Sequence, residues 1–349
     1  MPEIQGQENF SGLKLPASRY GCAEKFQDKD VIVVGNGLSG VEICADLCRA
    51  ARRVTHIIRR PAWIIPRYLP NPEGLDKIPL DLLFYRRSDL DAVTPLSAEE
   101  RNNQRNRWFS TLSKQNNLEL EELRIDPNSQ DFIPIAISDS YLRLVELGLI
   151  KVIRASGIKK FNINSVFLPD GAKIKADAVI FATGYKFELP FLADELKSKL
   201  QFSPEDQLQP AILYKETFNR DLPGLYFVGT YKGPFFGTME LQARLVAGLA
   251  SGRTTINDDS YSQGIKEELA IRNALPRPQF PHADYVKFSD GLAKDAGCFP
   301  ELSFEDPLRH AIFNGPVIPA HYRVSGTGSE REKAEAIIKE INKVVTTKR

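Results

Sequence analysis

VIVVGNGLSGVEICADLCRAARRVTHIIRR, residues 31–60, is the stretch that decides the fold of this chain. Residues 31–34 form a short apolar run of the kind found in buried strands, and residues 54–58 form a second one. Between them, apolar residues recur at helix spacing from position 38 to about 51. The segment therefore predicts a strand, a glycine turn, a helix and a strand. This unit indicates an α/β, Rossmann-like domain of three layers around a parallel sheet.

The turn of this unit has the pattern G-x-G-x-x-G. Gly35 permits a tight turn, Gly37 removes a side chain so that the backbone can approach a diphosphate, and Gly40 lets helix and strand pack closely. The helix N-terminus adds unpaired N–H groups and a positive dipole end. We therefore predict a dinucleotide site formed by the residues of the turn and the first helical turn: Gly35, Asn36, Gly37, Leu38, Ser39 and Gly40.

Two arginines at the end of the second strand select the cofactor. An NAD site would place Asp or Glu there to accept hydrogen bonds from the ribose hydroxyls, whereas this chain has Arg59 and Arg60. Guanidinium groups suit a ribose 2′-phosphate because they form paired, charge-assisted hydrogen bonds with it. The pattern favours NADP(H). The alternative is that both arginines are merely solvated at a strand end.

Composition excludes several classes of function. The 349 residues carry a net charge of +1, which gives no field for nucleic acid. No apolar run approaches the roughly 18–20 residues of a membrane helix, and the N-terminus is polar, so we expect a cytoplasmic protein with no membrane partner. Four cysteines show no metal-ligand spacing, so we expect buried free thiols and no metal site.

Further elements follow along the chain. Residues 77–150 are more polar and mostly helical in pattern, and Ser97 with Glu100 has the spacing of a capping box. From residue 150 the period changes to two, which predicts strands at 151–154, 157–162, 165–168 and 177–181. We also predict a strand at 225–228, followed by a glycine loop and a helix at about 238–250.

A second glycine-rich segment follows the strand at 177–181. It comprises Ala182, Thr183, Gly184 and Tyr185. Small residues at a strand end let the backbone lie close to a flat or charged ligand, although a tight turn between domains would need the same residues. Gly229 ends the predicted strand at 225–228 in a similar way, and Trp63 and Arg67 could line a pocket wall.

The order of these motifs resembles the flavin-containing monooxygenase family, a group of class B flavoprotein monooxygenases. The matching motifs are Phe10-Ser11-Gly12 with Tyr20, the glycine turn with Arg59 and Arg60, the segment 177–185, and Pro223–Gly229 followed by Glu240 and Gln242-Ala243-Arg244. The resemblance spans roughly residues 2–253, and more loosely extends to about 328. Tyr20 favours the branch that oxidises heteroatoms.

The resemblance implies function and domain organisation. Family chemistry uses NADPH to reduce FAD, and a flavin C4a-hydroperoxide then transfers one oxygen atom of O2 to a soft N or S centre of a small-molecule substrate. By this resemblance, residues 1–29 are a linker strap from the flavin domain. Residues 30–183 are the NADP(H)-binding domain with a helical insertion at about 77–150. Residues 184–349 are the C-terminal part of the FAD-type domain and a tail.

Two departures from the family pattern matter. Pro16 stands where the family fingerprint has histidine, which removes a hydrogen-bonding imidazole. The chain also lacks the family's first G-x-G-x-x-G unit, which binds the ADP half of FAD, so we expect little FAD in this chain alone. The alternative to a monooxygenase is therefore a non-catalytic NADP(H)-binding fragment or subunit that needs a partner chain or an oligomer. No catalytic residue can be named, and the four histidines are scattered.

Overall fold

The computed structural model describes residues 1–69, 77–87, 97–230, 233, 236–275, 277, 279–282 and 284–346. The chain divides into two compact units. The first comprises Met1–Leu69 with Pro95–Tyr185, and the second comprises Pro70–Thr94 with Lys186–Arg349.

The strands, numbered in chain order, are β1 Leu13–Pro16, β2 Asp30–Val34, β3 Arg53–Ile58, β4 Trp63–Ile65, β5 Tyr68–Leu69, β6 Ile78–Pro79, β7 Ile135–Ile137, β8 Ile150–Arg154, β9 Lys160–Asn162, β10 Ser165–Phe167, β11 Lys173–Lys175 and β12 Ala178–Phe181. The helices are α1 Leu38–Leu47, α2 Asp81–Phe84, α3 Ala98–Ser113, α4 Tyr141–Glu146, α5 Asp194–Lys199, α6 Phe236–Ala250, α7 Asp258–Asn273, α8 Tyr285–Asp295, α9 Arg309–Asn314 and α10 Arg331–Thr346.

A five-stranded parallel sheet forms the centre of the first unit. Its strand order is β1-β12-β2-β3-β8, and β2 pairs with β12 on one side and β3 on the other. Every residue of β2 is buried, as expected for a strand covered on both faces. The predicted strand–turn–helix–strand unit and its parallel sheet are therefore confirmed.

Different layers cover the two faces of this sheet. On one face, the buried side chains of α1 and α4 pack with those of β2 and β3, among them Val41, Leu47 and Tyr141. On the other face, Phe161 and Val166 of a small antiparallel sheet (β11-β10-β9) pack against Ile32. The three-layer arrangement thus has helices on one side and a second sheet on the other.

The segment predicted as a strap contributes a strand that the sequence analysis did not predict. Leu13–Pro16 pairs in parallel with β12, with Leu13 opposite Ala178. Pro16 is tolerated there because β1 lies at the edge of the sheet, where one side of the strand needs no hydrogen-bond partner.

The prediction of a strand at 225–228 is wrong. Among the described residues its pairing is limited to a single bridge between Phe218 and Tyr226 and a hydrogen bond from Phe227 N to Thr217 O (2.7 Å). A strand requires a continuous ladder with a neighbour, and this apolar run instead contributes Phe227 to a buried cluster of the second unit.

Helices dominate the described part of the second unit. Leu241 and Leu245 of α6 pack with Leu292 and Ala293 of α8 in one buried cluster. Helix α7 was not predicted, because it is polar along most of its length; its N-cap is Asn257, whose side chain accepts a hydrogen bond from Ser260 N. Within the described ranges, no helix is both long enough and apolar enough to span a bilayer.

Candidate functional site

Sheet topology determines where the candidate site lies. The strands that follow β2 along the chain, β3 and then β8, extend the sheet on one side, whereas β12 and β1 extend it on the other. Ligands of open parallel sheets bind at such a change of direction, beyond the carboxyl ends of the strands. The two predicted glycine-rich segments, residues 35–40 and 182–185, follow β2 and β12 and so lie together at this edge.

Gly35 and Ala182 bring the two segments into contact. Ala182 N donates to Val34 O at 2.8 Å. Gly35 has a φ of +115°, and a Cβ at this position would lie 2.3 Å from Ala182 O. Only glycine satisfies both conditions, because any side chain would meet the backbone of the neighbouring strand end.

Gly40 allows α1 to begin directly against this turn. A Cβ on Gly40 would lie 1.9 Å from Gly35 O. The first turn of α1 is therefore packed onto the backbone that follows β2, and the predicted role of Gly40 in close packing agrees with this geometry.

Gly37, in contrast, faces open space. Among the described residues, apart from its two chain neighbours, no heavy atom lies within 4 Å of the position that its Cβ would take, and Gly37, Leu38 and Ser39 are exposed. Gly37 is the N-cap of α1, and no side chain caps the helix. The first N–H groups of a helix have no acceptor within it, so this end of α1 offers free donors and a positive dipole end to an anion.

Asn36 connects the turn to the end of β3. Its Nδ2 donates to Arg60 O at 3.0 Å, while its Oδ1 is buried and has no hydrogen-bond partner among the described residues. The side chains of Arg59 and Arg60 are exposed and form no ion pair or hydrogen bond within the described part of the chain. Two arginines with exposed, uncommitted side chains thus follow β3, and the backbone of Arg60 is bonded to the glycine turn. The open space at Gly37 and the N-terminus of α1 both fit a bound dinucleotide.

His56 of β3 forms a hydrogen bond with the backbone of the glycine turn. Its Nε2 lies 2.8 Å from Gly35 O, which can only accept, so Nε2 carries the proton and donates. Its Nδ1 therefore accepts from the Tyr141 hydroxyl at 2.6 Å. Burial lowers the pKa of His56 to about 4, so the ring is neutral near pH 7. The sequence analysis missed this role because the partner, Gly35, is 21 positions away on another element.

The remaining residues predicted for this region have different surroundings. Trp63 is fully buried and donates from Nε1 to Asn106 Oδ1 at 3.0 Å, so it belongs to the core and does not line a pocket wall. Arg67 forms an ion pair with Glu42. Thr183, Gly184 and Tyr185 are exposed beyond β12. They stay predicted ligand contacts.

Gly229 lies in the second unit. It is exposed, with a φ of +84°, and its N–H donates to Gln242 Oε1 at 3.1 Å. Because Gln242 already accepts this hydrogen bond, the backbone here is held by the chain itself. The predicted contact of Gly229 with a cofactor stays a prediction.

Comparison with known proteins places these features in a family. A family model described as flavin-binding monooxygenase-like matches residues 2–348. The chain is 30% identical to flavin-containing monooxygenase 5 of Oryctolagus cuniculus over 94% of its own length and 60% of that protein. It is 29% identical to flavin-containing monooxygenase 2 of Homo sapiens over 99% of its length and 64% of that protein. The chain thus spans about three fifths of the length of these curated relatives.

Solved structures share the fold at low sequence identity. Cyclohexanone monooxygenase from Rhodococcus sp. Phi1, bound to NADP+, is 14% identical, with a TM-score of 0.56 over 84% of this chain and 70% of that one. Tmm from Pelagibacter sp. strain HTCC7211 is 19% identical, with a TM-score of 0.51 over 84% of this chain and 48% of that one. At these identities the likeness concerns the fold alone.

Proposed function

The chain belongs to the flavin-binding monooxygenase-like family, and on this basis we propose that it binds NADPH at the N-terminus of α1 for a flavin-dependent monooxygenase reaction. The diphosphate lies against residues 37–39, and the 2′-phosphate of the adenosine ribose lies at Arg59 and Arg60. The observation that carries this proposal is the open backbone at Gly37. In the described part of the chain, nothing beyond its own neighbours lies within 4 Å of the position of a Cβ there, while Gly35 and Gly40 are tightly packed.

Electrostatics support NADPH over NADH. Arg59 and Arg60 are exposed and have no anionic partner among the described residues, so their charges are available to a ligand. A hydrogen bond to a charged group contributes about 1.5–3 kcal/mol, which corresponds to roughly ten- to a hundredfold in affinity for the phosphate-bearing cofactor.

The overall reaction is oxygenation of a soft N or S centre in a small molecule. When bound, FAD supplies the redox chemistry with NADPH and O2, and the protein contributes binding, orientation and a dry site. In this chain, the backbone N–H groups of residues 37–39 would hold the NADPH diphosphate, and His56 donates a hydrogen bond to the Gly35 carbonyl of the preceding turn.

A second candidate function is an NADP(H)-binding subunit that holds FAD only with a partner chain. It is favoured by one observation: the 349 residues contain a single G-x-G-x-x-G segment, and one such cradle cannot bind two dinucleotides. The absorption spectrum of the purified chain separates the two candidates. A flavin band near one FAD per chain supports the enzyme alone, and a colourless chain that binds NADPH supports the subunit.

Calorimetry on the full chain tests the binding proposal. Titration with NADPH is expected to show one site, and NADH is expected to bind at least about tenfold more weakly. Equal affinities for NADPH and NADH would show that the two arginines do not bind the 2′-phosphate. Absence of heat with NADPH would contradict the proposal as a whole.

A further inference from the structure

Two buried carboxylates and one histidine meet in the second unit. Glu216 lies in a turn, Glu268 lies on α7 and His282 precedes α8. His282 Nε2 is 3.3 Å from Glu268 Oε2 and 3.6 Å from Glu216 Oε1, and all three ligand atoms lie within 4.8 Å of one another. Their side chains are at most 8% exposed.

From this geometry we propose that Glu216, Glu268 and His282 bind a divalent transition-metal ion of the Zn²⁺ class. Zinc bonds to carboxylate oxygen and imidazole nitrogen at about 2.0–2.2 Å, so two ligands of a tetrahedral ion lie about 3.4 Å apart. The two separations from His282 Nε2 bracket this value. The imidazole nitrogen also favours this class of ion, because Mg²⁺ and Ca²⁺ prefer ligand sets made of oxygen alone.

Charge balance supports the assignment. Within the described ranges, no lysine or arginine nitrogen lies within 4.0 Å of the carboxylate of Glu216 or Glu268. Lys215, next to Glu216 in the chain, pairs instead with Asp295 at 2.5 Å. Two buried carboxylates cost much free energy unless they are compensated. A protonated His282 offsets only one of the two negative charges, whereas a divalent cation with a neutral imidazole offsets both.

Gln209 provides an independent indication of a ligand. Its side chain is 1% exposed, its Nε2 donates to Glu268 Oε2, and its Oε1 has no hydrogen-bond partner among the described residues. Nε2 and Oε1 are bonded to the same carbon atom, so Oε1 also lies near the cluster. A half-turn of the amide exchanges the two atoms and presents its oxygen to the ion as a fourth ligand.

The second unit holds these ligands in place through non-local contacts. A Cβ on Gly264 of α7 would lie 2.4 Å from the Tyr214 ring, so this helix packs closely on the turn that contains Glu216. The ring of His282 stacks on Phe288 of α8, with centroids 4.0 Å apart. A bound ion would therefore join the turn at Glu216, helix α7 and the segment before α8, and its binding would stabilise the folded unit.

Metal binding by the full chain tests the proposal without any redox cofactor. After removal of metal with a chelator, the chain is expected to bind one Zn²⁺ per molecule in calorimetry and in elemental analysis. Co²⁺ in the same site is expected to give the intense visible bands of a tetrahedral ion. Octahedral bands, or no bound metal, would overturn the assignment.

Variants locate the site. Glu268→Gln is expected to weaken Zn²⁺ binding at least a hundredfold, whereas Glu267→Gln, an exposed neighbour on the same helix, leaves it unchanged. A thermal shift on adding Zn²⁺ is expected for the parent chain and for Glu267→Gln only.

The chain also has four free cysteines, including Cys44 and Cys48 one turn apart. A cobalt–thiolate charge-transfer band would place the metal on sulfur and contradict the proposal. This test uses the parent chain, so it holds even if Glu268→Gln fails to fold.

Discussion

His56 Nε2 lies 2.8 Å from the carbonyl oxygen of Gly35 and fixes the backbone of the glycine turn from within the sheet. The same oxygen is the atom that a Cβ on Gly40 would meet at 1.9 Å. One carbonyl thus accepts a hydrogen bond from β3 and limits the residue type in the first turn of α1. The position of the open donors at Gly37 depends on this arrangement.

Replacement of His56 by leucine tests this dependence. The variant leaves the partly buried Gly35 O and the buried Tyr141 hydroxyl without their partner, so we expect a loss of about 2–4 kcal/mol in the free energy of unfolding. We also expect weaker NADPH binding, because the turn is no longer held. Tyr141→Phe is the control: it removes only the hydrogen bond to Nδ1 and should cost about 1 kcal/mol without changing affinity. Unchanged NADPH affinity in His56→Leu would show that the hydrogen bond from His56 to Gly35 O is not needed for the binding conformation of the turn.

The buried ring also predicts how stability depends on pH. The folded-state pKa of His56 is about 4, below the unfolded value of 6.5, because burial disfavours the charged form. Between these values the unfolded chain binds a proton that the folded chain does not, so the stability present above pH 6.5 is lost as the pH falls toward 4. The difference corresponds to about 3 kcal/mol. Unfolding measured from pH 7.5 to 4 should show the His56→Leu variant losing correspondingly less stability than the parent chain. Parallel curves would mean that His56 titrates normally.

Gly40 and Gly37 should respond in opposite ways to alanine. In Gly40→Ala, the new methyl meets the Gly35 carbonyl, and we expect a net loss of about 2–4 kcal/mol despite the gain of roughly 1 kcal/mol in helix propensity. In Gly37→Ala, the methyl meets no atom of a non-neighbouring described residue and φ is −86°, so stability should change by less than about 1 kcal/mol. NADPH affinity in Gly37→Ala should nevertheless fall about tenfold, because the methyl occupies the space of the diphosphate. Urea unfolding and calorimetry measure the two effects, and identical behaviour of the two variants would contradict the assigned roles.

The features that could be predicted from the sequence are those specified locally. The unit from β2 to β3 follows from apolar spacing and three glycines within 30 residues, and the capping box at Ser97 and Glu100 is present as predicted. Non-local features could not be found in this way. The partner of His56, the contact between Gly35 and Ala182, and the cluster at His282 are set by packing of distant segments.

The wrong strand at 225–228 has the same cause. An apolar run shows that a segment is buried, but only a neighbouring strand makes it part of a sheet. In the second unit, the side chain of Phe227 packs in a hydrophobic cluster and its N–H donates to Thr217 O, without a continuous ladder of strand hydrogen bonds.

Arg59 and Arg60 should determine the choice between the two nicotinamide cofactors. Replacing both by alanine is expected to lower NADPH affinity by roughly ten- to a hundredfold and to leave NADH affinity nearly unchanged, because only NADPH carries the 2′-phosphate. Arg53→Ala is the matched control, since Arg53 is an exposed arginine at the opposite end of β3. Comparable losses for both cofactors would show that the two arginines contact a part that NADPH and NADH share.

The N-terminus of α3 allows a test of the fold that is independent of any ligand. Ser97 Oγ accepts from Glu100 N at 3.1 Å, and Glu100 Oε2 accepts from Ser97 N at 2.7 Å. Ser97→Ala leaves one of these N–H groups without its acceptor and should cost about 1 kcal/mol, whereas Ser97→Asp should retain most of the stability. Ser110→Ala, in the middle of the same helix, removes a hydroxyl that only donates to Arg107 O and should be neutral or slightly stabilising. If chemical denaturation gave the same midpoint for Ser97→Ala and Ser110→Ala, the cap would contribute nothing to the stability of this unit.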